Sequence, residues 1–494
     1  MRTVAAVDLG AESGRVVRAG FDGTRFDIDV AHRFAHSPRT ENGILRWDMD
    51  TLLREVTAGL TRLDAGGGTV DSVGVDAWGV DYGLFRVDGR MVDQPTCYRD
   101  PRQLDAMKRA VDAVGADAIY DATGVQLMPI NTIFGLTSDL HDHPDRLAAA
   151  ERLQMMPDVF HRLLSGSTGT EYTAASTTGA LDMRTGRWAT GLLAALGIPD
   201  HLLPEVIQPG TDVGALRGGF TRALSETRVI VPPAHDTASA VVAVPFTEPG
   251  ALFISSGTWS LVGVETSRAR VDASAKAVNL TNEGGYGGTI RLLRNVMGLW
   301  LLQECRKQWH REGADLGYAE IAELARAEPG LVSVVNPDST DFLLPGDMPR
   351  RIQEYCARTG QPVPATVGAI ARCAIDSLAL GYRRVLDAIT AVTGTRPPAV
   401  NIVGGGARHT LLSQLTSDAT GLPVRCGPVE ATAMGNAAVQ LAALGEFGGV
   451  TEIRAAVADS ADLTEYEPRA RHDWTAAAAL LDTLTNADGL YHRA

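Results

Sequence analysis

The 494-residue sequence predicts an α/β protein of two related domains that face each other across a cleft. Three observations carry that prediction. The chain is too long for one hydrophobic core. Each half opens with the same order of elements: a short apolar strand, a turn of small residues and a returning apolar strand. In the first half these are Thr3–Val7, Asp8–Arg15 and Val16-Val17; in the second they are Ala251–Ile254, Ser255–Thr258 and Leu261–Val264. Internal repetition of this kind points to duplicated units. Between the halves stands P-F-T-E-P-G, Pro245 to Gly250, whose prolines and glycine break any regular element. The expected domains are therefore 1–244 and 245–494, hinged about Val244–Gly250.

Composition narrows the class. A hydrophobic content of 45% with 21% charged residues places the chain among globular proteins and away from disordered ones. The formal net charge of −14 argues against nucleic acid or an anionic membrane as the main partner. No apolar run is long enough to span a bilayer. Met1-Arg2-Thr3-Val4-Ala5-Ala6-Val7 meets Asp8 before a signal-peptide core could form, so a cytoplasmic location is expected. The five cysteines are odd in number and lack C-x-x-C spacing, which argues against a disulfide framework or zinc site. Cys356 and Cys373 could pair, but reduced thiols are expected.

After the first hairpin, alternation over Thr24–Phe34 extends an antiparallel sheet. Asp48 caps a helix that runs to about Leu63, with Leu52, Leu53, Val56 and Leu60 at helical spacing. Val73–Ala77 is a buried strand ending in Trp78-Gly79-Val80-Asp81, a place where small ligands sit in open α/β sheets. A hairpin turning at Asp88-Gly89 follows. Helical composition then runs from Tyr98 to about Leu153, interrupted by Q-L-M-P-I-N at Gln126–Asn131, and Glu171–Trp188 reads as loop. His235-Asp236-Thr237 enters a small-residue helix, with Asp236 as its N-cap. In the second half Leu292 to about His310 reads as one helix, with Leu293, Val296, Met297, Trp300 and Leu301 on one face. Thr366–Val392 is a long helix, Val400–Val403 a strand, and Gly404-Gly405-Gly406 opens a helix over Thr410–Thr420. Leu422–Cys426 is a strand, Glu430–Leu444 a helix, and the Ala-rich tail after Leu463 a peripheral helix.

Three glycine-bearing turns, at Gly10–Gly14, Gly257 and Gly404–Gly406, all follow strands. Each lets backbone N–H groups approach phosphate with no side chain in the way. G-x-x-x-x-G-K-[ST] is absent, which excludes a P-loop enzyme. The pattern points to phosphoryl transfer between two domains. Asp8, at a strand end, suits a magnesium ion held through water; it equally suits a turn-forming carboxylate satisfied by nearby N–H groups. Asp236 is the candidate base, since such transfer needs a carboxylate within reach of the accepting hydroxyl. His235 reads as an oriented neighbour. His141-x-His143 reads as an exposed helix end and not as a metal site. Trp78 and Trp300 read as core, with Trp78 also placed to stack on a sugar face.

The same residues carry a family resemblance. Asp8–Arg15, Trp78–Asp81, His235–Ala240, Ser255–Leu261, Asn279–Gly285, Asn295–Gln303 and Val403–Gly406 resemble the FGGY carbohydrate kinases, and the likeness runs over nearly the whole chain. The string N-L-T-N-E-G-G followed by R-N-V-M-G-L-W-L-L-Q is similar to the branch acting on L-rhamnulose. The resemblance implies an actin/hexokinase/heat-shock-chaperone (ribonuclease H-like) fold with an inter-domain cleft, a sugar-binding first domain and a nucleotide-binding second one. It implies ATP- and Mg²⁺-dependent phosphorylation of L-rhamnulose at its 1-hydroxyl. Asp236 is then the proton acceptor, and Gly79, His235, Asp236, Thr237 and Asn295 hold the sugar, although Asn295 is also placed for the ribose. Ala11, Glu12, Ser13, Gly14, Arg15, Thr258, Gln303 and Gly405 line the nucleotide side. Two residues depart from the family pattern. Glu12 puts a carboxylate into the phosphate turn, and His409 stands where relatives carry Asn after the triple glycine. Two other readings are compatible with the sequence: a kinase for another ketose or polyol, such as fuculose or xylulose, and a non-catalytic actin-like nucleotide sensor.

Overall fold

The N-terminal hairpin forms as strands Arg2–Leu9 and Ser13–Phe21, antiparallel, with Asp8 opposite Arg15. The computed structural model describes residues 2–469 and 472–488. Phe26–Ala35 adds a third antiparallel strand. On the other side of Arg2–Leu9 lies Ser72–Ala77, parallel to it, then Arg228–Ile230, parallel again, with Asp212–Ala215 at the edge. The second sheet repeats the plan. Leu252–Ser256, Trp259–Thr266 and Ile290–Met297 are antiparallel neighbours. Val400–Val403 and Val424–Cys426 follow in parallel on the opposite side of Leu252–Ser256. Edge strands Thr281–Gly284 and Thr464–Tyr466 flank it. The duplication expected from two look-alike hairpins thus extends to five strands in each half, and the fold is the expected two-domain α/β architecture.

Most predicted helices form near their expected bounds: Met49–Ala65 with Asp48 accepting from the Thr51 N–H, Val367–Thr393, Thr410–Thr420, Ala431–Ala443 and Trp474–Asp488. The helix expected over Leu292–His310 does not. Its first part is the strand Ile290–Met297, and the helix spans only Trp300–Arg311. That strand is buried almost throughout, so apolar residues occupy both of its faces. Positions 292, 293, 296 and 297 then satisfy helical spacing as well, and periodicity cannot separate the two. At the break, a Cβ on Gly298 would lie 2.6 Å from the Trp259 carbonyl carbon. Helical composition up to Leu153 also misleads: Arg152–Met155 is a strand paired with Tyr82–Phe85, while the turn at Asp88-Gly89 makes only a short return. Among the described residues no helix is long and apolar enough to cross a membrane, and all five cysteines are buried and free.

A helix crossing joins the two halves. Ala431–Ala443 packs on Asp236–Val242 and on the first sheet. At the crossing a Cβ on Gly435 would lie 1.8 Å from the Ser239 carbonyl oxygen. Beside it, Asn436 Nδ2 donates to Asp76 Oδ2 (2.6 Å), and Gln440 Nε2 donates to the Ala5 carbonyl (3.0 Å). Gln440 Oε1 accepts from Ser72 Oγ at 2.7 Å. Both amides are fully buried and satisfied, the condition under which polar groups add specificity to a core.

Substituting Gly435 by Ala is expected to force these helices apart and lower stability by about 1–3 kcal/mol, the usual cost of overpacking. Gly191→Ala, on the helix Thr190–Ala195 with nothing within 4 Å of its Cβ, is expected to be neutral or to gain up to ~1 kcal/mol. Denaturant unfolding of both variants checks the contrast.

Candidate active site

A cavity of about 340 Å³ opens where the turns of the two halves meet. From the first half, Asp8, Gly10, Ala11, Glu12, Ser13 and Arg15 form one wall. Asp8 is 5% exposed, and Arg15 reaches its Oδ2 from Nη2 (2.5 Å) and Nε (2.8 Å). The same guanidinium contacts Glu430 at 2.5 Å, which ties this turn to the head of helix Ala431–Ala443. Gly14 does not line the cavity. It lies within the returning strand, where a Cβ would meet the Phe34 ring at 2.3 Å. Glu12 is compensated: Lys307 Nζ sits 2.5 Å from its Oε1. Lys307 lies one turn beyond Gln303, whose side chain lines the cavity.

The second half supplies Ser255, Ser256, Gly257, Thr258 and, from the third turn, Gly404 and Gly405. These two turns touch, because a Cβ on Gly406 would lie 2.0 Å from Ser256 Oγ. Gly404 is left-handed at φ 82, and Gly405 has open space around it. Such a backbone leaves room for an anion. His409 is not part of the lining. Its Nδ1 accepts from the Leu412 N–H at 3.2 Å and so caps Thr410–Thr420.

Beside the first glycine turn, with the Trp78 N–H donating to the Leu9 carbonyl, lies the segment Trp78–Asp81. A Cβ on Gly79 would meet Thr177 at 3.0 Å and His235 Nε2 at 3.2 Å, so a larger residue would have to push one of these side chains aside. Val80 is left-handed at φ 66, a costly state for a β-branched residue. Thr177 Oγ1, accepting from the Val80 N–H at 3.0 Å, holds it there. Trp78 packs at a tilt against Trp47 with centroids 4.3 Å apart, and both indoles donate to Asp81. Burial pushes the Asp81 carboxyl up to about 7 against those bonds.

Asp236 is not the N-cap. That position falls to His235, which makes no side-chain cap bond, and Asp236 is the first residue of the helix. The loop before it is pinned by Glu171, which accepts from the Ala234 N–H at 3.0 Å, and by Thr173 Oγ1, which accepts from the His235 N–H at 3.1 Å. Asp236 Oδ1 accepts from the Thr237 N–H at 2.5 Å and stands 3.4 Å from His235 Nε2. The carboxyl is recessed, with 30% of the side chain open to the cavity. Burial raises its pKa above the ordinary value; His235 opposes that, and the Asp8 charge adds to it. Asp76 pairs in register with Asp8 and is fully buried. Its Oδ1 has no partner, and burial and Asp8 push its pKa well up.

Asn295 joins the cavity from the second sheet. Its N–H and its Nδ2 donate to Gln126 Oε1 at 2.9 and 3.3 Å. Gln126, Glu283, Tyr98, Trp259 and Arg33 also line the cavity, and reasoning from the sequence assigned them no role. The interruption at Gln126 and the N-L-T-N-E-G-G string were the available signals. Among the described residues no group of three or more His, Cys, Asp or Glu is placed to hold a metal unaided.

Known proteins resemble this arrangement. Residues 3–243 match the N-terminal domain, and residues 252–444 the C-terminal domain, of the FGGY family of carbohydrate kinases. The chain is 39% identical to a rhamnulokinase of Bacteroides thetaiotaomicron over 96% of its length and 97% of the relative's. It is 40% identical to one of Pectobacterium carotovorum, over 96% and 95%. In fold it is similar to xylulose kinase from Lactobacillus acidophilus (TM-score 0.76, 16% identity, 99% and 97% covered). It is equally similar to Plasmodium falciparum glycerol kinase with ADP (0.76, 14%, 100% and 99%). With both halves of the duplicated fold matched and nearly all of the sequence shared with such enzymes, the chain belongs to the FGGY family of carbohydrate kinases and transfers phosphate to a sugar.

Proposed function

We propose that this kinase transfers the terminal phosphoryl group of ATP to the 1-hydroxyl of L-rhamnulose, with Asp236 as general base. The observation carrying the reading is the position of Asp236: recessed at the junction of the halves, facing a cavity that the glycine turns of both halves also line. The choice of sugar rests on the relatives at 38–40% identity.

The mechanism follows from the donors and acceptors present. Gly79 lets the sugar approach the backbone, and His235, Thr237 and Asn295 orient its hydroxyls. Asp236 Oδ1 is engaged by Thr237, which leaves Oδ2 to take the proton of the attacking hydroxyl. Around it the turns at Ala11–Ser13, Thr258 and Gly405 offer N–H groups to the phosphates, with the Arg15 and Gln303 side chains beside them. Mg²⁺ fits these residues as an ion carried in on the phosphates and held by few carboxylates. Asp8 would hold it through water, and the unpartnered buried Asp76 oxygen marks a spot short of positive charge. When bound, such an ion neutralises phosphate charge.

A coupled ADP-release assay over a panel of ketoses tests the substrate: L-rhamnulose is expected to give the highest kcat/KM, and equal turnover of xylulose would reject it. Asp236→Asn is expected to fold and bind ATP yet lose about 10²- to 10⁴-fold in kcat; near-normal activity would remove the base. Asp236 works deprotonated and its pKa is raised. The acid limb of the kcat/KM profile should therefore lie above pH ~4, the ordinary aspartate value, with activity falling as pH drops through it. A limb at or below that value would contradict the assignment.

A further inference from the structure

We infer that Glu283 is a specificity-determining residue whose carboxylate accepts a hydrogen bond from a sugar hydroxyl beyond the reacting carbon; the inference rests on the sugar-kinase reading above. Glu283 stands on the edge strand Thr281–Gly284 of the second sheet and lines the cavity, its side chain 4% exposed. A carboxylate this buried is kept only when something stabilises its charge. Arg291, directly opposite in register and fully buried, does so: its Nη2 lies 3.2 Å from Glu283 Oε2. The group facing the sugar side is therefore an anion, which accepts hydrogen bonds and donates none.

That anion is under-used. Oε2 has the Arg291 guanidinium at 3.2 Å and His235 Nδ1 at 3.4 Å as charge contacts, yet it makes no hydrogen bond of adequate geometry with either, and a buried acceptor usually makes one. The two asparagines of N-L-T-N-E-G-G are employed within the fold. Asn279 exchanges bonds with the Leu127 backbone (3.1 and 3.2 Å). Asn282 bonds Gly124 and Arg270, and Gly284 lets the Tyr172 ring approach. Glu283 alone of these is turned to the cavity.

The position of His235 says which hydroxyl is meant. Its Nδ1 is 3.4 Å from Glu283 Oε2, and its Nε2 is 3.4 Å from Asp236 Oδ1. The imidazole therefore separates the two carboxyls by the width of its ring. The hydroxyl that Asp236 deprotonates cannot be the one Glu283 holds, so Glu283 serves one further along the sugar chain. Because Gly79 and His235 come from the first half and Glu283 and Asn295 from the second, a bound sugar would be held from both sides.

The test is a cycle of substrate and enzyme changes. Glu283→Asp keeps a charge opposite Arg291 but shortens the reach. With the wild-type enzyme, one of the 3-, 4- and 5-deoxy forms of L-rhamnulose is expected to lose about 10- to 100-fold in kcat/KM, the worth of a hydrogen bond to a charged group. Glu283→Asp should lose a similar factor on L-rhamnulose itself and show little further loss on that deoxy sugar. Its affinity for a nonhydrolysable ATP analogue should be unchanged, which reports an intact fold. Losses that multiply independently, no sensitive deoxy sugar in the wild type, or a wild-type kcat/KM in Glu283→Asp would each overturn the inference. If L-rhamnulose is not turned over while another ketose is, the substrate reading alone fails. The same cycle on that ketose's deoxy forms then decides Glu283.

Discussion

The contact between Gly435 and the Ser239 carbonyl is the constraint on which the rest of the molecule depends. No side chain separates the two helices there, so they cross at backbone contact, and the small residues of A-T-A-M-G-N-A-A exist to permit it. Asn436 and Gln440 then reach the two central strands of the first sheet, Ser72–Ala77 and Arg2–Leu9. Hydrogen bonds buried this deeply fix register as well as distance, since an unmade one leaves a desolvated group. The helix that begins at Asp236 is one member of the crossing. The position of the proposed base is therefore set by the junction itself.

That placement concentrates negative charge. Asp8, Asp76 and Asp236 lie close enough for the charge of Asp8 to raise the pKa of both others. Arg15 answers part of it and is itself shared with Glu430. On the sugar side, Glu283 and Arg291 form a separate buried pair. The cavity thus has a carboxylate cluster with little compensating positive charge near the first turn, and a separate carboxylate held by a buried arginine on the second sheet. Glu12, which alone would repel phosphate, is neutralised by Lys307 from the other half. The departure from the family pattern is compensated locally.

Much of this was legible in the letters. Strand, small-residue turn and returning strand, written twice, specified the duplicated halves, because alternation and glycine placement are local properties of the chain. Asp48 and Thr366 likewise announced helix starts, and the glycine turns announced backbone left open at the strand ends. Ile290–Met297 was not legible as a strand: buried on both faces, it lost the alternation that would have identified it. Asp236 showed itself as an acid at a helix entry, yet its exact step relative to the cap depended on Glu171 and Thr173, far away in sequence, holding the preceding loop.

What the sequence determined alone was therefore the pair of look-alike halves, the glycine-bearing turns and the acids at strand and helix ends, since each is written within a few residues. Only the tertiary structure decided that Gly14 faces Phe34 and not the cavity, that Glu12 meets Lys307, and that Glu283 stands behind His235. Those outcomes are settled by partners tens to hundreds of residues distant, brought together by the packing of two sheets about a helix crossing.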